Sequence, residues 1–152
     1  MIKAYLVGPG TNDVVGSDRT AHGNSLFAQA PYYEHSVFKS ATRAALGTSI
    51  VVQPTSGESI VLTDLIVTSE KVATATVTVR FTDGTNTINI FVASINDSPV
   101  NMGIPFAGKW QGWRDARIEL VTSHNSDTTV SCGYYKVPSA YTMDFADWDA
   151  LR

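Results

Sequence analysis

Residues 74–92 constrain this chain more than any other segment. Ala75, Val77, Val79 and Phe81 alternate with Thr74, Thr76, Thr78 and Arg80, a two-residue period that sets apolar side chains on one face of a strand and polar ones on the other. Asp83-Gly84 comes next, followed by TINIFV over 87–92, where Ile88, Ile90 and Val92 alternate with Asn89 and Phe91. Glycine supplies the positive φ of a tight turn, so this dipeptide between two alternating runs predicts a β-hairpin.

The rest of the middle of the chain extends the pattern. Ile60–Thr68 (IVLTDLIVT) is nearly continuous in apolar residues, as a strand covered on both faces is, and is expected to be the central strand. Further strands are expected at Val100–Phe106, Ala116–Thr122 and Thr129–Val137, separated by the polar clusters SINDSP, GKWQGWRD and SHNSD. Turn clusters at this spacing suit a sandwich or barrel. The total is six or seven strands and no long helix, with no fixed-period repeat.

Length and charge bound the partners. At 152 residues the chain holds one ordinary domain. Only 16% of residues are charged against 43% hydrophobic, so Thr, Ser and Asn carry solubility, as strand surfaces rich in β-branched hydroxyls do. A net charge of −3 with 11 Lys and Arg in no concentrated run argues against nucleic acid as a partner. The single Cys132 forms no internal disulfide, and the apolar run near the start is too short for a signal core or a membrane span. Synthesis in a reducing cytosol, no membrane partner and no cofactor are therefore expected.

Three segments differ in texture. Residues 1–47 are expected as an N-terminal arm or attachment segment, with a short strand at Ile2–Val7 ended by Gly8-Pro9-Gly10, an extended stretch over 11–30, and one or two helical turns over Ser36–Leu46. Residues 48–138 are expected to form the β-sandwich. Residues 139–152 (SAYTMDFADWDALR) form a C-terminal arm in which Tyr141, Met143, Phe145, Trp148 and Leu151 interleave with Asp144, Asp147 and Asp149. Pro138 breaks the strand ladder before it. The arm is expected to dock on another polypeptide, the alternative being that it covers the open end of its own sandwich.

Motifs for catalysis are lacking. His22, His35 and His124 lie in separate segments without ligand spacing, and the aspartates, with Asp97 and Asp115, lack the dense spacing of a Ca²⁺ loop. No GxSxG elbow or phosphate loop is present. Cys132, between Val130 and Tyr134, reads as a small core hydrophobe. The informative cluster is Lys109-Trp110-Gln111-Gly112-Trp113-Arg114-Asp115. Two indoles with Arg and Gln suit three roles: capping the core, a subunit interface, or stacking on a glycan.

The order SGESIVLTDLIVTS, ATVTVRFTDGTNTINIFV, NMGIPFAGKWQGW and RIELVTSHNSDTTVSCGYYKV resembles the small jelly-roll domains of tailed-bacteriophage virion proteins, over about 90 residues. The resemblance implies an all-β, antiparallel β-sandwich of jelly-roll type with extended N- and C-terminal arms. It implies a non-enzymatic virion structural protein, made in the host bacterial cytoplasm, that decorates or cements the capsid or sits at the head–tail junction. Its expected partners are itself, as a trimer, and major capsid or connector protein. Interface candidates are Trp110, Trp113, Arg114, Tyr141, Met143, Phe145, Trp148 and Leu151. The alternative is a carbohydrate- or receptor-binding module at a fibre or spike tip, using Trp110 and Trp113.

Overall fold

The computed structural model describes residues 17–20, 23–26, 37–70, 74–97, 99–125 and 127–151; the strand expected at Ile2–Val7 and most of the expected N-terminal arm lie outside them. The chain divides into two units, Met1–Glu34 and His35–Arg152. In the first, β1 (Ser17–Thr20) and β2 (Gly23–Leu26) pair as an antiparallel hairpin with Thr20 opposite Gly23.

The second unit is an antiparallel sandwich of eight strands: β3 (Val37–Arg43), β4 (Gly47–Val52), β5 (Ser59–Ser69), β6 (Ala75–Thr82), β7 (Thr87–Ile95), β8 (Val100–Gln111), β9 (Arg117–Thr122) and β10 (Thr128–Val137). One sheet has the order β3-β10-β5-β8 and the other β4-β9-β6-β7. The pairs are nested: β6 with β7, β5 with β8, β4 with β9, β3 with β10, each antiparallel. The pairs β5–β10 and β6–β9 join these ladders side by side within each sheet.

The core follows the alternation in β6. Val77 and Val79 are 1% and 0% exposed and Phe81 and Ala75 are buried, while the Arg80 side chain keeps 31% of its surface in water. Against them lie Ile118 and Leu120 of β9, Leu62, Leu65 and Val67 of β5, and Val130 and Cys132 of β10. The turn between β6 and β7 has Gly84 at φ 99°, as the hairpin signal requires.

The long apolar run in β5 has a physical explanation. Ile60, Val61 and Leu62 are all buried, but beyond them Leu65 and Val67 point inward while Ile66 is exposed. The phase changes at Thr63, where the register with both neighbouring strands shifts between Leu62 and Asp64. Against β10 this bulge inserts one residue, Thr63, and returns the apolar set to the core side.

Two expectations are corrected here. The helical turns expected over Ser36–Leu46 are absent from its described residues, 37–46: β3 is a sheet strand, held to β10 by hydroxyl pairs Ser40–Ser131 at 2.6 Å and Thr42–Thr129 at 2.8 Å and by Phe38 opposite Gly133. The sandwich therefore begins before residue 48, because β10 supplies a ladder that outweighs the weak helical spacing of this stretch. The C-terminal segment is not an extended arm either: a single 3₁₀ turn at Ser139–Tyr141 leads into α1 (Phe145–Ala150). Asp144 caps this helix, its Oδ1 accepting from Asp147 N at 3.0 Å.

Candidate functional site

Five of the eight interface candidates, Trp113, Arg114, Met143, Phe145 and Trp148, meet at one end of the sandwich. The β8–β9 connection presents Trp113, which is 1% exposed, with Nε1 donating to Asp83 Oδ2 at 2.7 Å. Around it are the rings of Phe81 at 6.3 Å, Phe145 at 4.8 Å edge-on and Trp148 at 5.1 Å. Trp148 is buried by this packing and donates from Nε1 to the Gln111 carbonyl at 2.8 Å. Arg114 N donates to the Met143 carbonyl at 2.7 Å. Its guanidinium donates to the Thr142 hydroxyl at 3.0 Å and carbonyl at 3.2 Å, and the Thr142 hydroxyl reaches the Gly57 carbonyl at 3.2 Å.

These contacts overturn the expectation that the tail leaves its own sandwich. Trp113 closes the end of the core, and without Trp148, Phe145 and the half-buried Met143 its indole would face water. Covering it satisfies the Trp148 indole N–H on the Gln111 carbonyl and sets the Phe145 ring edge-on to the Trp113 indole. Phe145 and Trp148, three residues apart, lie on one face of α1, whereas Leu151 lies beyond the helix and is exposed.

The same geometry removes Trp113 as a stacking platform, since a ring this deeply buried presents no face to a sugar. Trp110 is half-buried against the core and packs edge-on against Phe106 at 5.8 Å. Of the apolar candidates, Tyr141 and Leu151 remain largely exposed, at 65% and 75%, and Arg114 is exposed as well.

Asp83 organises the turn opposite this cluster. Its Oδ1 accepts from the backbone N–H groups of Thr85 and Asn86, and its Oδ2 from Asn86 Nδ2 and the Trp113 indole. Burial pushes its carboxyl up, but these donors outweigh that and bring it to about 2.

A second polar cluster, which the sequence did not reveal, lies on the outer face of the β4-β9-β6-β7 sheet. Glu119 is buried there between Arg80, which donates to its Oε2 from Nε at 2.9 Å and Nη2 at 2.7 Å, and Arg117, which donates to Oε1 at 2.7 Å. Burial raises its carboxyl, and the hydrogen bonds and charges of Arg117 and Arg80 more than offset this, leaving it below the ordinary range. Arg80 and Glu119 face each other across the β6–β9 ladder. The missing signal is non-local: the two residues are 39 positions apart.

Cys132 is enclosed in the core, where burial pushes its thiol up to about 12, so it lacks the thiolate that nucleophilic chemistry needs. Among the described residues, no three of His, Cys, Asp and Glu converge as metal ligands. Asp115 and Asp144 serve the backbone instead, accepting from Gly57 N and Asp147 N. What remains available for contact is the strand surface: Phe38 on β3, Ile50 on β4, Ile66 on β5, Val92 on β7 and Met102 on β8 are all exposed. No family model and no curated protein matches the chain.

Proposed function

We propose that this chain is a non-enzymatic virion structural protein of a tailed bacteriophage, built on a jelly roll. It decorates or cements the capsid, or sits at the head–tail junction. The observation that carries this reading is the nested pairing of eight strands in two four-stranded sheets, β3-β10-β5-β8 and β4-β9-β6-β7. A long antiparallel ribbon rolled upon itself produces this order, and double-sheet jelly rolls serve as viral capsid and lectin domains.

The fold alone does not choose among those roles; the chemistry of the chain supports the structural one. Its polar clusters, around Asp83, Glu119 and Arg114, are spent on holding turns, strands and tail together. Its thiol is buried and free, in keeping with synthesis in the host cytoplasm. Six of the nine exposed large apolar side chains among the described residues, Val37, Phe38, Ile50, Ile66, Val92 and Met102, sit on strands, which suits burial against neighbouring subunits. Its partners are further copies of itself and the major capsid or connector protein, and its action is to stabilise the assembled state by binding it.

Quantitative gel staining and mass spectrometry of purified phage particles test this. A shell role predicts tens to hundreds of copies per particle. A handful of copies indicates a fibre or spike tip, and absence from the particle overturns the proposal.

A further inference from the structure

The four sheet edges of the sandwich are not equally protected. An edge strand offers unpaired backbone N–H and C=O groups to any other strand, and proteins guard such edges with charges, prolines, bulges or brevity. β3 carries Lys39 and Arg43. β8 carries Pro105, which has no N–H to give. β4 has six residues and a register shift between Ile50 and Val52.

β7 has nine residues with neither a charge nor a proline, and its one register shift lies before Phe91. It pairs with β6 on one side and has no described strand on the other. No charged residue occurs from Gly84 to Asn96. The shift opposite Val79 and Arg80 leaves Ile90 as the extra residue, so that Phe91–Ile95 runs straight, in unbroken register with Val79–Ala75. Within it Val92 is 55% exposed, although β-branched and ready to pack across a strand pair.

We propose that Phe91–Ile95 pairs antiparallel with the same segment of a second copy of this chain, joining two β4-β9-β6-β7 sheets across a two-fold axis. The proposal rests on the self-associating structural role argued above and names the surface that role uses. Charge selects the occupant: a strand paired with its own copy sets like charges near each other, which is unfavourable, and β7 has no charge to oppose and no missing donor, a property it shares only with the shorter β4. Alternation selects the register. Only pairings in which the facing residue numbers add to an even number keep both cores on one side of the joined sheet. They place Phe91, Ala93 and Ile95 of both chains inward and Val92 and Ser94 outward. Such a contact is isologous and closes as a pair; a threefold assembly needs a second, different surface.

Sedimentation of the full chain across micromolar concentrations tests this, with amide exchange over 91–95 as a second readout. The wild type is expected to pair, with those amides slowed as concentration rises. Val92→Lys, which adds the guard the other edges use, is expected to weaken pairing about tenfold or more, a change of about 1.4 kcal/mol. Ser94→Lys is expected to do the same, should Val92→Lys not fold. Val92→Thr and Ile50→Lys, the latter at an equally exposed apolar position on the far edge of the same sheet, are expected to pair as wild type. A wild type that stays monomeric, folded lysine variants at 92 and 94 that pair normally, or loss of pairing in Ile50→Lys overturns the inference. Particle incorporation is read separately. A chain that pairs but is absent from particles defeats the structural role and leaves this contact standing, whereas incorporation without pairing does the reverse.

Discussion

Replacing Trp148 with alanine isolates what the C-terminal helix contributes to the sandwich. A tryptophan buries roughly 150–250 Å², and Trp148 retains 8% of its exposure. At about 25 cal/mol per Å², its burial is worth about 4–6 kcal/mol as an upper estimate, because unfolded chains already bury part of such surface. The substitution also deletes the Nε1 bond to the Gln111 carbonyl and uncovers Trp113. Trp→Ala changes at buried sites cost about 3–5 kcal/mol, and that is the expected loss. For the unit His35–Arg152, an unfolding entropy of roughly 2.1 cal/mol/K per residue converts this to a Tm drop of about 12–20 °C. Thermal unfolding of the full chain, followed by near-ultraviolet circular dichroism, measures it. Leu151→Ala, at an exposed position on the same segment, serves as the control and is expected within about 0.5 kcal/mol of wild type. A Trp148→Ala loss under about 1 kcal/mol, or a Leu151→Ala loss as large, refutes the reasoning that the tail is held by burial against its own core.

Stability also depends on pH through Asp83. Its carboxyl sits near 2 in the fold against an ordinary 3.8, so its contribution is complete above about pH 4 and is lost as pH falls toward 2. Asp83→Asn is expected to lower stability at neutral pH by about 1–2 kcal/mol and to flatten this acid-side slope, measured by urea unfolding at stepped pH; an unchanged slope counts against the turn network. Glu119→Gln leaves Arg80 and Arg117 without a charged partner on a partly exposed face, and is expected to cost about 1–3 kcal/mol, the buried-pair range discounted for solvent screening. Gly112→Ala places a Cβ 2.9 Å from the Phe81 ring, which is fully enclosed, so overpacking is expected to cost about 1–3 kcal/mol; calorimetry showing a neutral change would mean the ring can yield.

The sequence by itself determined the elements whose signal is local. Alternation in 75–81 set the inward face of β6, Asp83-Gly84 set the hairpin, and the strands from β5 to β10 follow from runs of apolar and β-branched residues between polar clusters. Each depends on neighbours within a few positions, so periodicity suffices to read it. Contacts across long stretches of chain decided the rest. β3 is a strand because Ser40 and Thr42 meet Ser131 and Thr129, 91 and 87 residues away, a partnership that outweighs its local spacing. β4 went unread for a related reason: a bulge turns both Val51 and Val52 inward and breaks the alternation that would have marked it. In the tail the aromatic spacing was visible, but its destination was not. Whether an apolar helix covers its own chain or another depends on whether the core leaves an indole to cover, and Trp113 becomes that indole only when β8 and β9 bring it over Phe81 and Asp83.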